Sequence, residues 1–291
     1  MKKFADLFVL GAGILWGLAG LFVDHMSSLG FEPIQISALR WIFSAILMTA
    51  GVAIINPKLL KIQLCHIWWF VCTGVGCILL SSTLYFISIK ETSAAVGNIL
   101  MYTSPIWILI FSVIFFKEKI TVPKILSLIL AIGGCAFATG VIGGADLNFS
   151  TYGIITGLLS GLFYGLYSIF GKAIMKMYDS ITVILYTAIF AGIGALFLIN
   201  IPQTAVQIAE TNAYVPLLLM VTLVSIAPYT LYTVGLKHCR ATRASIMACI
   251  EPMTAAVMGT FVLHQPFTEF QLIGILMILG AGFLLQLKNK Q

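Results

Sequence analysis

Charged and turn-forming residues cut this chain into ten apolar runs, near 5 to 26, 34 to 55, 67 to 89, 92 to 116, 122 to 142, 151 to 171, 180 to 200, 213 to 236, 244 to 263 and 269 to 287. Crossing about 30 Å of hydrocarbon takes about 20 helical residues, so each run is long enough to span a bilayer. Within a bilayer only helices and closed barrels satisfy every backbone N–H and C=O. The expected fold class is an all-α integral membrane protein with ten transmembrane helices. Composition agrees: 60% of the 291 residues are hydrophobic and 9% charged, and the mean hydropathy is +1.06, outside the range of soluble globular chains. The connections are too short for a soluble catalytic module, so function is expected inside the bundle. Met1-Lys2-Lys3 resembles the start of a signal peptide, but no small-residue cleavage site with a polar continuation follows, and the first span is expected to be retained.

The net charge of +6 does not point to nucleic acid, because the basic residues sit in alternate loops. Lys2, Lys3, Lys58, Lys61, Lys117, Lys119, Lys124, Lys172, Lys176, Lys237, Arg240, Arg243, Lys288 and Lys290 share one side, leaving only Lys90 opposite and Arg40 within a span. Positive residues accumulate on the cytoplasmic side. The expected placement is therefore multi-pass in the cytoplasmic membrane, with the lipid bilayer as surroundings and both termini cytoplasmic. Cys65, Cys72, Cys77, Cys135, Cys239 and Cys249 have no zinc-ligand spacing and read as small apolar fillers. No metal and no cofactor is expected.

The chain repeats itself. A shift of 147 positions sets Leu84-Tyr85-Phe-Ile-Ser-Ile-Lys90 on Leu231-Tyr232-Thr-Val-Gly-Leu-Lys237, and carries Ala94 to Ala241, Ile99 to Ile246, Pro105 to Pro252, Thr121 to Thr268 and Gly133 to Gly280. A shift of 148 sets Gly13-Ile-Leu-Trp16-Gly17 on Gly161-Leu-Phe-Tyr164-Gly165. Two units follow, residues 1–145 and 146–291, each of five spans. An odd number of spans makes the second unit enter the membrane from the opposite side, so the repeats are expected to be inverted. Inverted repeats around a midplane site are an architecture of secondary transporters.

Trp16-Gly17, Ala38-Leu39-Arg40-Trp41, Tyr102-Thr-Ser-Pro105 ahead of Phe116-Lys-Glu118, and Glu251-Pro252 resemble EamA-type proteins of the drug/metabolite transporter superfamily over nearly the whole chain. The resemblance implies a ten-helix inverted-repeat fold and transport of a small organic solute. At Leu263-His264-Gln265-Pro266 the sequence departs from the glycine–glutamate pair usual there.

Glu251 lies about 12 Å inside its span, counting about 1.5 Å per residue from Arg243. A charge near the midplane costs a few kcal/mol, so the carboxyl is expected to face a cavity, pair, or carry a proton. Its repeat partner is Ser104, so the fold's symmetry does not require an acid there; a structural hydrogen bond is the plainer alternative. Arg40 lies about 10 Å deep and either snorkels or pairs structurally, or anchors an anionic group of a substrate. Pro105 and Pro252 each remove a helical hydrogen bond and favour kinks, which fit helices together or widen a cavity. Trp16, Tyr85, Asn98, Tyr102, Tyr164, Tyr229 and Tyr232, with Ser81, Ser225 and Tyr167, form polar and aromatic stripes that together suit an amphipathic solute site; taken singly, the plainer reading of each is a packed or interfacial residue. By the repeat, Tyr85 and Tyr232 are expected on opposite walls of one pathway. Gly13 with Gly17, and Gly157 with Gly161 and Gly165, allow close helix approach.

An enzyme is disfavoured by the lack of His-Glu-x-x-His, paired membrane aspartates or Gly-x-Ser-x-Gly, and an ATP-driven pump by the lack of a phosphate-cradling loop. A channel is disfavoured because no pore segment repeats in ring fashion. The expectation is a secondary active transporter of a small metabolite, an amino acid or a related compound, working by alternating access with protons as a candidate coupling ion. The alternative is a proton-coupled exporter of lipophilic or quaternary cations.

Overall fold

The computed structural model describes residues 4–142, 150–264 and 267–287. Lys2, Lys3, Asp146, Gln265, Pro266, Lys288 and Lys290 lie outside the described residues. Those described are helical, without strands. Seven stretches are long and apolar enough to cross a membrane: α1 (Ala5–Ser28), α2 (Pro33–Ile55), α3 (Leu64–Glu91), α4 (Ala94–Phe116), α6 (Thr151–Ile174), α8 (Tyr214–His238) and α9 (Ala241–Val262). Three shorter apolar helices stand between and after them: α5 (Val122–Ala138), α7 (Ser180–Ala195) and α10 (Glu269–Leu285).

The shorter helices end before the expected runs do, for local reasons. Gly140 takes φ +80, the left-handed conformation that terminates helices, two residues beyond α5. After α7, the amides of Phe197 and Leu198 bond to Gly194 and Ala195, a tightened turn. Asn200 then caps a further helix between the expected seventh and eighth spans, Ile201–Glu210, its side chain accepting from Gln203 N at 3.3 Å. That helix is amphipathic. It lays Ile208 on a cluster of Met26, Phe31, Ile36 and Leu217, and Gln35 reaches its Thr204 and Gln207.

α1 packs on α8 and α9; α6 packs on α3 and α4; α2 lies on α7, and α5 on α10. Replacing each helix by the one five places away maps this set onto itself. Local details map too. α4 breaks at Tyr102–Thr103 and α9 at Cys249, 147 positions apart. Wide π-helical turns interrupt α3 at Cys72–Leu79 and α8 at Val221–Ile226. Lys117 and His264, each just past a helix end, take φ 52 and 54. His264 thus keeps the closing turn although glycine is absent.

The breaks are seated on glycines. A Cβ on Gly17 would lie 2.8 Å from the Glu251 carbonyl oxygen, and one on Gly13 would lie 3.0 Å from that of Ala248, the carbonyl that Pro252 cannot bond. On α6, Gly161 stands equally close to the Leu100 carbonyl, at 2.9 Å. Small residues let backbones approach where an interrupted helix has carbonyls to cover. Gly17→Ala is expected to destabilise the protein by about 1–3 kcal/mol, the cost of overpacking, whereas Gly20→Ala, with nothing within 4 Å of its Cβ position, leaves stability unchanged. Thermal unfolding in one detergent compares them.

Candidate functional site

The two broken helices and one π-turn bring the polar residues together. The break in α9 presents Glu251, and that in α4 presents Tyr102, the two within electrostatic reach of each other. The π-turn of α8 turns Ser225 toward α2, where its Oγ accepts from Arg40 Nε at 3.0 Å. π-turns recur at functional sites because the extra residue re-aims side chains. The bond to Ser225 turns the Arg40 guanidinium into the bundle toward α8 rather than out to the headgroups; Tyr229, Glu251, Tyr85 and Tyr164 lie within its electrostatic reach.

Arg40 and Glu251 are neighbours that share no ion pair: those among the described residues are Lys124–Glu118, Lys237–Asp179 and Arg243–Asp6. Arg40, Tyr85, Asn98, Tyr164 and Glu251 are each partly accessible rather than fully buried. Behind them stands an aromatic wall. Trp16 meets Tyr229 at 5.0 Å, Tyr232 at 5.4 Å and Tyr164 at 6.3 Å between ring centroids, and Trp41 and Tyr167 close on Tyr229 at 5.0 and 5.8 Å. These mostly edge-on contacts fix ring positions.

The symmetric expectation for Tyr85 and Tyr232 divides. Tyr85 is partly accessible and donates to Asn98 Oδ1. Tyr232 is 2% exposed, its hydroxyl paired with Ser168 Oγ at 2.8 Å, so it supports the wall. Tyr232→Phe leaves the buried Ser168 hydroxyl unpartnered and is expected to cost about 1–3 kcal/mol of stability; Tyr85→Phe is expected to spare stability and weaken solute binding. Unfolding temperature and binding, measured on both variants, separate the two roles.

The site is closed at one end only. The end of α8, the α8–α9 connection and the start of α9 lie at the end rich in Lys and Arg and are tied to α6, to the N-cap of α7 and to the segment after α4: Thr233 Oγ1 to Tyr167 Oη at 2.8 Å, Lys172 Nζ to the Cys239 carbonyl, Lys237 to Asp179 at 3.3 Å, and Thr242 Oγ1 to Glu118 Oε2 at 3.2 Å. Glu118 also pairs with Lys124 at 2.9 Å, at 7% and 8% side-chain exposure. At the other end the α3–α4 connection holds to α6, through Ser88 to the Gly153 carbonyl and Ser150 to Glu91. It forms no comparable packing with α1 or the second half of α9 among the described residues. The sequence explains the difference, since the repeat shifts replace Tyr167, Ser168 and Lys172 with Ala19, Gly20 and Asp24, none of which reproduces those bonds. The sequence reading missed this closing network; Glu118 entered only within a motif, and Asp6, an acid inside the first apolar run, was the available signal for its bidentate partner Arg243.

The EamA-like transporter family matches twice, over residues 3–140 and 151–287. An uncharacterized transporter of Archaeoglobus fulgidus is 28% identical over 201 residues, 69% of this chain and 70% of its own. One from Clostridium kluyveri is 23% identical over 100% of this chain and 95% of its own. The uncharacterized inner membrane transporter YicL of Salmonella typhimurium is 22% identical over 98% and 96%. A solved crystal structure with 16% identity superposes with a TM-score of 0.81 over 99% of this chain and 98% of its own, a likeness of fold. The chain belongs to the EamA-like transporter family and is a multi-pass membrane transporter.

Proposed function

We propose that the protein is a secondary transporter that carries a small zwitterion, an amino acid or a close relative, across the cytoplasmic membrane by alternating access. The observation that carries this reading is that Arg40 and Glu251, each partly accessible, act on one another electrostatically yet form no ion pair among the described residues. A carboxylate meets the guanidinium in a bidentate fork, an ammonium meets Glu251 and the faces of Tyr164 or Trp16, and the solute completes the charge balance. A lipophilic cation would face Arg40 in the same space, which disfavours the exporter alternative. A thermal-shift screen of amino acids and quaternary amines on purified protein, followed by counterflow in liposomes, tests it: stabilisation and exchange by zwitterions support the proposal, and response to quaternary amines alone rejects it.

The helices are read as ten spans in two inverted five-helix repeats, 1–145 and 146–291. The symmetric packing pairs, the matched breaks and the matched π-turns support this. The basic end is read as cytoplasmic, with both termini there, so the described conformation is open outward. Single cysteines at Glu32 and Glu210, in a background lacking the native cysteines, are expected to react with an impermeant maleimide on whole cells, and cysteines between 56 and 66 to stay unlabelled; the reverse pattern would overturn the orientation. Protons are proposed as coupling ion, held on Glu251 when the solute ammonium is absent.

A further inference from the structure

At the basic end, away from the solute site, a cavity of about 730 Å³ is lined by six basic residues, Lys117, Lys119, Lys172, Lys176, Lys237 and Arg240, and by one acid, Glu118. The acid, Glu118, is already neutralised by Lys124, Lys237 pairs with Asp179 across an exposed 3.3 Å contact, and Lys172 spends its ammonium on the Cys239 carbonyl. Lys117, Lys119, Lys176 and Arg240 have no ion pair or side-chain hydrogen bond among the described residues.

The bias of basic residues toward the cytoplasmic side accounts for their side but not for their convergence on one concavity. Lys58 and Lys61 have the same bias and lie outside it. Four unpartnered cations around one hollow repel one another unless an anion joins them. Arginine and lysine side chains recognise phosphate by charge and fork geometry, and basic pockets between membrane helices at the cytoplasmic face bind anionic head groups.

We propose that this cavity is a binding site for a phosphate-bearing anion, either a lipid head group or a soluble phosphorylated compound. Its walls come from both halves of the chain, residues 116–121 from one and 172–176 with 237–240 from the other. A phosphate bridging them holds together the same elements that the Thr242–Glu118 and Lys172–Cys239 bonds hold. Binding and opening of this end therefore oppose each other, and by linkage the anion stabilises the conformation open at the opposite end.

The test uses the full-length protein, as purified in detergent with inorganic pyrophosphate, and in nanodiscs of phosphatidylcholine with or without phosphatidylglycerol. The expected result is a higher unfolding temperature in at least one arm. The quadruple variant K117Q/K119Q/K176Q/R240Q is expected to lose at least about tenfold in apparent affinity, since each basic residue near an anionic group contributes substantially, while K58Q/K61Q keeps it. Response to phosphatidylglycerol alone identifies a head group, and response to pyrophosphate alone a soluble anion. No stabilisation in either arm, or equal loss in the two variants, overturns the proposal.

Discussion

Glu251→Gln is expected to lower solute affinity about ten- to a hundredfold and to abolish its pH dependence. The first figure follows from losing a hydrogen bond to a charged group, about 1.5–3 kcal/mol. The second follows from chemistry. As pH falls through the range in which Glu251 titrates, the carboxyl becomes neutral and its attraction for an ammonium disappears, so wild-type affinity falls. Gln has the shape of the protonated acid and stays neutral, so its affinity is low at every pH. Arg40→Gln separates the two ends of the solute, since it is expected to lose comparable affinity while keeping the pH profile. Ser104→Ala, at the repeat-equivalent position, should be milder. Binding titrations across pH on folded protein decide: a Gln variant with wild-type affinity and an unchanged profile would reduce Glu251 to a structural partner of Tyr102.

Arg40, Glu251, Trp16 and the tyrosines were legible as candidates because polarity inside an apolar run is costly and therefore informative. Pro105 and Pro252 located the breaks to within three residues, since a missing N–H must interrupt the helix near it. What the sequence did not disclose is which face each residue takes. Tyr85 and Tyr232 occupy matched positions, yet one is partly accessible and the other is committed to Ser168, because position 20 offers glycine where position 168 offers a hydroxyl. The π-turns left no periodicity signal, since one extra residue per turn looks like ordinary apolar sequence. The Ile201–Glu210 helix was hidden because its ten residues, evenly split between apolar and polar or proline, are too few and too polar to stand out as a span. Its cap, Asn200 followed by Pro202 in the first turn, was the available cue.

The closing network at the basic end gives the second large expected effect. Glu118 and Lys124 form a buried pair within one half of the chain, and Thr242 joins that pair to the other half. Removing the carboxylate and removing its cross-half contact therefore have different consequences. Glu118→Ala leaves the Lys124 ammonium buried with only the Lys119 carbonyl, and breaking a buried pair in this way costs about 3–5 kcal/mol; the unfolding temperature should fall sharply. Thr242→Val keeps the pair and removes one hydrogen bond to a charged acceptor, about 1.5–3 kcal/mol, from the closed conformation alone. Its unfolding temperature should fall less than that of Glu118→Ala, while the population open at the basic end rises about tenfold or more. Spin labels on Ile120 and His238, one on each side of the seam and neither lining the cation cavity, read that population as a longer distance component. If Thr242→Val leaves the distance distribution at its wild-type form, the hydrogen bond is incidental to closure, and the remaining ties from α8 to α6 would have to hold that end by themselves.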